Sequence, residues 1–309
     1  MSLTSMIKQN KDFRNLLLSV SPSRSAFTPA FGSSEMKVPP HSSSGATAAF
    51  IGTSSDYIFR FIIGRYLHRD DVLDNLIAEQ GIQDIEKRFA NVKGIGKIRN
   101  VYEDRVGWVK EYLHTDTANQ KQFIHAVYYM IAASTILAKL ENFRRSGIRS
   151  INDVVAVLKY VPDQDTMIEL RDLGILFRSV FIKGGVIHKD SKIIFNPHFG
   201  SFGNKVSGAD ADLYVDGVLY DFKSTKYFSY KTDYAAQLTG YCLLNQLCQR
   251  SHEGDIGEEM REVAFYYSRY GMICKASAPK ADEETLMRFE TMIEENEIDT
   301  IAKIMKIME

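Results

Sequence analysis

The sequence contains few of the residues that would indicate an oxidising compartment or a zinc site. It has three cysteines, Cys242, Cys248 and Cys274, whose spacing fits neither a zinc site nor an even-numbered disulfide framework. Cys242 and Cys248 lie in a segment of helical character, where a free cysteine behaves as a small buried hydrophobe. We therefore expect reduced thiols and, as the default, a cytoplasmic protein.

Excess positive charge and long apolar runs are also absent from the sequence. The formal net charge is -1, so the chain as a whole does not attract nucleic acid, and such a contact requires a local basic patch. No run of about 18 apolar residues suggests a membrane span. The polar start, Lys8 to Lys11, differs from a signal peptide. We therefore expect no membrane partner.

The pattern of apolar residues predicts an α/β protein in four segments. Residues 1–49, which are rich in Ser, Pro and Gly after residue 20, suggest an extended and partly mobile segment. Residues 50–67 suggest a first core helix that begins near Ser54, and residues 68–185 suggest a helical subdomain. Residues 186–309 suggest a core with several strands and a closing helix.

One part of this last segment predicts a β-hairpin. Asp216-Gly217 lies between two β-rich runs, and both positions of a two-residue turn need a positive φ. Counting outward from the turn places Val215 opposite Val218 and, farther along, Asp212 opposite Asp221. Because side chains alternate along a strand, one face carries the charged residues Asp210, Asp212, Asp221 and Lys223. The other face carries the apolar residues Leu213, Val215, Val218, Tyr220 and Phe222.

Two facing carboxylates on neighbouring strands favour a cation site. The Cβ atoms of Asp212 and Asp221 would lie roughly 5 Å apart, and like charges at that distance destabilise a sheet. Mg²⁺ or Mn²⁺ would neutralise them, because hard cations prefer carboxylate oxygen and keep waters for chemistry. Lys223 would orient or deprotonate a metal-bound water, as phosphodiester hydrolysis requires. The alternative is a solvated hairpin in which Lys223 pairs with Asp210 or Asp221.

These residues resemble the PD-(D/E)XK nuclease superfamily, in which an Asp precedes a strand, a hairpin follows, and Asp-x-Lys lies on the next strand. Gln237-Leu-Thr-Gly-Tyr241 is similar to the Gln-x-x-x-Tyr motif of its RecB-like exonuclease branch. The resemblance covers about residues 50–67 and 193–275. It implies a restriction-endonuclease-like core, a mixed central sheet flanked by helices, with a large helical insertion.

The resemblance also implies a metal-dependent nuclease, for which we expect DNA rather than RNA as the substrate. Asp212, Asp221 and the carbonyl of Phe222 would bind one or two Mg²⁺ or Mn²⁺ ions, and Lys223 would position the attacking water. The helix with Gln237 and Tyr241 on one face would lie over the site and hold substrate. Roles in phage defence or DNA repair follow only from analogy at the level of the fold.

The upstream motif of this branch, Gly-Thr-x-x-His, is represented here by Gly52-Thr53-Ser54-Ser55-Asp56, with Asp in place of a metal-binding His. Asp56 can serve as a further hard ligand. It can equally cap a helix together with Thr53, or pair with Arg60 one turn later. In addition, Ala211 rather than Pro precedes Asp212. Both interpretations of Asp56 stay open at this point.

Two weaker patterns concern nucleic-acid contacts. Val92-Lys-Gly-Ile-Gly-Lys97 is similar to a helix-hairpin-helix grip on phosphates, and the alternative is an ordinary turn between helices. Lys226 belongs to a basic edge interleaved with aromatic residues, which suits the binding of single-stranded nucleic acid. The alternative is that this loop packs on the sheet. We expect Gln237, Tyr241, Lys226 and Asp210 to contact substrate.

Two other functions stay open. The chain can be a catalytically inactive PD-(D/E)XK-like domain that binds nucleic acid or a protein partner, since its charge is near neutral and Asp replaces His at position 56. Alternatively, the acids form a solvated face without a nuclease function.

Overall fold

The computed structural model describes residues 2–41, 45–146, 150–206, 208–209 and 211–308. These residues form a mixed α/β fold in which eleven α-helices pack around one five-stranded sheet. The helices are α1 (Leu3–Gln9), α2 (Lys11–Val20), α3 (Gly45–Leu67), α4 (Ile77–Arg88), α5 (Lys97–His114), α6 (Gln120–Ser146), α7 (Ile151–Leu158), α8 (Gln164–Phe177), α9 (Gly200–Lys205), α10 (Thr232–Ser251) and α11 (Glu283–Met308). The strands are β1 (Ile193–Phe195), β2 (Leu213–Val215), β3 (Val218–Lys223), β4 (Glu262–Tyr267) and β5 (Met272–Ser277). Asp210 lies outside the described residues.

Residues 3–9 and 11–20 are helical, so the extended segment expected for residues 1–49 is wrong in this part. The side chains of Ser2 and Asn10 accept hydrogen bonds from the N–H groups of Ser5 (3.3 Å) and Phe13 (3.0 Å), which caps both α1 and α2. The apolar faces of both helices are buried against α10. Contact with a distant helix stabilises helices that would be marginal in isolation.

Helix α3 begins at Gly45 and not near Ser54, so the helix-cap interpretation of Asp56 is wrong. Thr53 and Ser54 lie inside the helix, where their hydroxyls donate to the carbonyls of Ala49 (3.4 Å) and Phe50 (2.8 Å). Ser and Thr favour caps because they bond to the backbone, but the same bonds can be made within a helix. Asp56 is therefore an interior residue of α3.

The sheet has the order β1-β2-β3-β4-β5, with β3 and β4 parallel and the other neighbours antiparallel. Helix α10 connects the two parallel strands. The predicted hairpin is confirmed: Val215 lies opposite Val218, and the turn residues Asp216 and Gly217 have φ values of 46° and 89°. The sequence therefore specified both the turn and the register of this hairpin.

The sheet separates two hydrophobic cores. The first core contains the predicted apolar face of the hairpin, including Leu213 and Tyr220, packed against α3, α4, α5, α6 and α8. The second contains Tyr214 and Leu219, packed against α1, α2, α10 and α11. Asp221 alternates with Tyr220 and therefore faces the side of α10.

A buried ion pair links four segments near the end of β3. Arg269, between β4 and β5, contacts Glu169 of α8 at 2.5 Å, and the two side chains are 1% and 2% exposed. Arg269 also donates to the carbonyls of Ser224 (2.8 Å) and Val38 (3.2 Å). Glu169 accepts the N–H of His41 at 2.8 Å. These contacts hold the segment before α3 against the loop after β3.

Helix α6 is the one described helix that is long and apolar enough to cross a membrane, with a mean hydropathy of 1.4 over Gln120–Phe143. However, 61% of that window is buried inside the protein. The helix packs against α3, α4 and α5, so its apolar character is that of a central core helix. This is consistent with a soluble protein, and a cytoplasmic location stays a prediction.

Candidate active site

Asp221 and Lys223 form a buried ion pair on β3, with side chains that are 4% and 13% exposed. Burial raises the pKa of the Asp221 carboxyl, and the nearby Lys223 charge opposes this shift. Burial also lowers the pKa of Lys223, but the charges of Asp221 and Asp212 outweigh it, so the pKa is raised. Lys223 is therefore a protonated ammonium close to two carboxylates.

Asp212 lies where β2 and β3 stop pairing. The ladder ends at Leu213 and Tyr220, so the predicted strand pair of Asp212 with Asp221 is wrong. The carboxylate of Asp212 instead accepts the N–H of Phe222, and its carbonyl accepts the N–H of Asn196 at 3.2 Å. A short acidic side chain competes well for a backbone N–H at a strand end. Asp212 thereby lies at the opening between the strands.

Helix α10 lies over this ion pair. The Lys223 ammonium donates to Oε1 of Gln237 at 3.5 Å and lies 4.3 Å from the ring centroid of Tyr234. Nε2 of Gln237 donates to the hydroxyl of Tyr241 at 2.8 Å, and Tyr241 stacks on Phe199. Gln237 and Tyr241 lie on one face of α10, as predicted. Tyr241 is buried, and its hydroxyl holds the Gln237 side chain in position.

A small cavity lies on the other side of the hairpin end. Its volume is about 40 Å³, and its lining includes Asp212 and Phe222 together with Asp56 and Arg60 of α3. A single water needs roughly 10–15 Å³ of such volume, so the cavity has room for a few waters. Asp56 thus shares a cavity with Asp212, as a ligand at this position would require.

Arg60 uses its guanidinium to join α3 to other segments. It donates to the carbonyls of Val72 and Asp74, each at 2.7 Å, and to Oδ1 of Asn196 at 3.0 Å. Burial lowers the pKa of Arg60 to about 10, and the charge of Tyr57 is the largest influence that opposes this shift. These bonds fix the wall of the cavity next to Asp56.

A further acid, Glu141 of α6, also lines this cavity, although the sequence analysis does not identify it. Its buried carboxylate accepts the hydroxyl of Tyr57 at 2.8 Å, and that hydroxyl accepts the N–H of Ala78 at 3.0 Å. An ionisable residue in the apolar stripe of a core helix is unusual. That position in α6 is the signal that could have identified Glu141.

No family model, curated protein or solved structure matches this chain. The family resemblance therefore depends on the motif residues and on their arrangement. Of these, Asp212, Asp221, Lys223 and Gln237 lie together, with Asp56 in the adjoining cavity.

A divalent cation at this site would need oxygen ligands from the protein. Within the described ranges, no group of three or more His, Cys, Asp or Glu side chains is placed to hold a metal ion. Mg²⁺, however, keeps several waters and is commonly held by one or two carboxylates together with substrate phosphates. The two carboxylates of Asp212 and Asp221 match a Mg²⁺ site of this kind. They do not match a site in which the protein supplies all the ligands.

The loop after β3 carries the predicted basic edge. Phe228 is buried and the hydroxyl of Tyr230 donates to the carbonyl of Pro22 at 2.9 Å, so this part of the loop packs on the body. Lys226 is exposed, with its ammonium 5.2 Å from the ring centroid of Tyr227, which is also exposed. Lys226 therefore lies on the outer side of the loop and away from the core.

The predicted Gly-x-Gly pattern lies in the turn between α4 and α5. Gly94 has a φ of 86°, which requires glycine or a similarly permissive residue. A Cβ atom at Gly94 or Gly96 would meet no atom within 4 Å, so packing does not demand glycine there. The turn is open to solvent, and a phosphate grip at this position stays a prediction.

Proposed function

We propose that this chain is a metal-dependent nuclease of the PD-(D/E)XK type that hydrolyses DNA. The observation that carries the proposal is the convergence of Asp212, Asp221 and Lys223 at the hairpin end, beneath Gln237 of α10. The mixed sheet with helices on both faces supports the expected restriction-endonuclease-like core. An exonuclease in phage defence or DNA repair agrees with the resemblance.

Asp212, Asp221 and the carbonyl of Phe222 would hold Mg²⁺ or Mn²⁺. When bound, such an ion supplies a Lewis acid that polarises the phosphate and lowers the pKa of a water. Lys223 has a raised pKa, so its role is to orient the water and to stabilise negative charge, rather than to remove a proton. Gln237 and Tyr234 fix the ammonium, and Tyr241 holds Gln237.

Contact with DNA would come from groups at the rim of the site. Gln237 is partly exposed and adjoins Lys223. Lys226 and Tyr227 are exposed and provide a positive charge and an aromatic ring that would contact single-stranded DNA. Asp56 and Glu141 would attract the hydrated cation to the adjoining cavity. These roles depend on a local arrangement, because the net charge of -1 gives no general attraction for DNA.

The second candidate is a catalytically inactive domain that binds nucleic acid or a protein partner. The observation that favours it is the lack, within the described part of the chain, of a formed group of three metal-ligating side chains. The Asp in place of His at position 56 points in the same direction. Such a domain would retain binding but would not cleave.

The test is cleavage of end-labelled single- and double-stranded DNA with Mg²⁺ or Mn²⁺. We expect Asp221→Asn and Lys223→Met each to reduce the rate by about 10²–10³-fold, since each removes a group that acts on transition-state charge. Asp190→Asn is the matched control, because Asp190 is exposed and belongs to an Asp-x-Lys tripeptide that adjoins the turn of the hairpin, at the opposite end of the hairpin from Asp212. Metal binding and folding of each variant are measured in parallel.

The outcomes separate the two candidates. Cleavage that needs metal and is lost in both site variants, but not in the control, supports the nuclease. DNA binding without cleavage under every metal supports the inactive domain. If the wild type neither binds Mn²⁺ in calorimetry nor binds or cleaves DNA, the nuclease and the inactive DNA-binding domain are both wrong.

A further inference from the structure

Asn196 follows strand β1 and has a backbone conformation that few residues other than glycine adopt. Its φ is 45°, in the left-handed region, where asparagine is one of the side chains that are tolerated. Residues held in such sparsely populated conformations cluster at functional sites, where the surrounding structure compensates for their cost. Asn196 lines the small cavity that also contains Asp212 and Asp56. The contacts of Asn196 indicate what its conformation achieves there.

Two of these contacts are hydrogen bonds to the backbone around Asp212. The backbone N–H of Asn196 donates to the carbonyl of Asp212 at 3.2 Å, and Nδ2 donates to the carbonyl of Ala211 at 3.3 Å. These two carbonyls belong to the planar peptide groups on either side of the Asp212 Cα atom. Because one residue holds both groups, the direction in which the Asp212 side chain leaves the backbone is fixed.

The third contact connects this segment to helix α3. Oδ1 of Asn196 accepts a hydrogen bond from Nη1 of Arg60 at 3.0 Å, and the Arg60 guanidinium lies 4.9 Å from the ring centroid of Phe195. Arg60 lies four residues after Asp56, so the two residues are neighbours on one face of α3. Asn196 therefore ties Asp212 to the helix that carries Asp56.

The amide of Asn196 matches both partners of its side chain, and related side chains do not. Arginine only donates and a backbone carbonyl only accepts, so the amide directs its oxygen to Arg60 and its nitrogen to Ala211. Aspartate would keep the first bond but would direct an oxygen at the carbonyl of Ala211. Glycine would keep the backbone conformation and lose both bonds. Of these three residue types, asparagine alone satisfies the backbone and both partners.

The position of Asp212 matters to the end of β3. Its carboxylate accepts the N–H of Phe222, the residue between Asp221 and Lys223. A displaced Asp212 would therefore release the N–H of Phe222 and also move a carboxylate away from the site. The release of this N–H can be measured without metal or DNA.

We propose that Asn196 is a positioning residue of the candidate active site, which holds the Asp212 carboxylate in place relative to Asp56 and Phe222. It acts through Asp212 and not through a contact of its own with the reacting phosphate. This role rests on the proposed function, because the position of Asp212 affects catalysis only if the chain is a nuclease. Replacing a residue that orients a metal ligand typically changes metal affinity or activity by about 10–100-fold.

The first experiment measures hydrogen–deuterium exchange of the Phe222 amide in the full-length chain by NMR. We expect Asn196→Gly to accelerate this exchange about tenfold, because the Asp212 carboxylate is no longer held at the N–H. The amide of Tyr220, which lies in the β2–β3 ladder, is the internal reference and should exchange as in the wild type. Asn196→Asp is a second variant that tolerates positive φ, and it should also accelerate exchange because it lacks the donor to Ala211.

The second experiment measures Mn²⁺ affinity by calorimetry and DNA cleavage in the steady state. Asn196→Gly should weaken Mn²⁺ binding and lower kcat, each about tenfold, whereas KM for DNA should stay unchanged. Urea unfolding verifies that the variant is folded under the assay conditions. His68→Gly is the matched control, because His68 also has a positive φ (55°) but is exposed and lies roughly 18 Å from Asp56 along α3.

A Phe222 amide that exchanges as slowly in both Asn196 variants as in the wild type overturns the proposal. So does an active wild type whose Mn²⁺ affinity and kcat are unchanged in Asn196→Gly, or a control variant that loses as much. A different result concerns the proposed function itself. If exchange at Phe222 depends on Asn196 but the wild type neither binds Mn²⁺ nor cleaves DNA, the proposed function is wrong and the positioning role fails with it.

Discussion

Removal of one charge from the buried pair Arg269–Glu169 should destabilise the protein severely. In Glu169→Gln the shape of the side chain is kept, but the guanidinium of Arg269 loses its counter-charge in a place where its side chain is 1% exposed. The two carbonyls of Ser224 and Val38 still accept from Arg269, so its hydrogen bonds are largely retained. The change therefore removes the counter-charge together with one acceptor, because Glu169 accepts from both Arg269 and the N–H of His41 through different oxygens and Gln has only one acceptor oxygen.

The expected loss in the free energy of unfolding is about 3–5 kcal/mol, the usual result when one partner of a buried pair is removed. This is a large part of the total stability of about 5–15 kcal/mol for a typical protein. At about 1.5 °C for each kcal/mol in a chain of this length, the melting temperature should fall by about 5–8 °C. Replacing both residues, Glu169→Leu with Arg269→Met, should restore most of the loss, because no charge then stays buried.

Urea unfolding measured through the fluorescence of Trp108, the one tryptophan of the chain, provides the assay. Glu259→Gln is the control: its partner Lys280 and Glu259 itself are both more than half exposed, so we expect a loss below about 1 kcal/mol. A loss in Glu169→Gln no larger than in this control would refute the argument from burial. A double replacement that is less stable than the single one would refute it as well.

Three further predictions concern the site and the thiols. Gln237→Leu should reduce the DNA cleavage rate at saturating substrate about tenfold, because Lys223 loses an acceptor that positions it; an unchanged rate in a single-turnover assay would contradict this. Tyr57→Phe should cost about 1–3 kcal/mol in urea unfolding, because Glu141 loses a donor and Ala78 an acceptor in a buried place. Burial raises the pKa of Cys248 to about 12, so little thiolate exists at pH 8. All three cysteines are buried and should therefore react slowly with a disulfide reagent until urea unfolds the chain. Rapid labelling of the folded protein would contradict the placement of these thiols.

The hairpin was predictable because its determinants are local. Asp216 and Gly217 accept positive φ, and the alternation of Leu213 to Tyr220 assigns each side chain to one face without any knowledge of distant segments. The placement of Gln237 over Lys223 followed from the motif resemblance combined with helical spacing. These features depend on chain neighbours or on one recognisable pattern.

Other features depend on contacts that a local pattern does not contain. The start of α3 at Gly45 was missed because the Ser and Thr residues at 53–55 have the composition of a cap. Glu141 lies 71 positions before Asp212 in the sequence, yet both line one cavity. The bond from the N–H of Phe222 to Asp212 depends on how the strands diverge at the open end of the hairpin, and the alternation of side chains does not reveal this.

The attachment of α1 and α2 to α10 has a consequence for synthesis of the chain. Arg14 pairs with Asp233 across 219 positions, and Ser21 bonds to Thr239 across 218. At roughly 5–20 residues per second, the first two helices wait about 10–40 s on the ribosome before their partner helix is made. During that interval their apolar faces are uncovered, so the nascent chain exposes hydrophobic surface that α10 covers in the finished molecule.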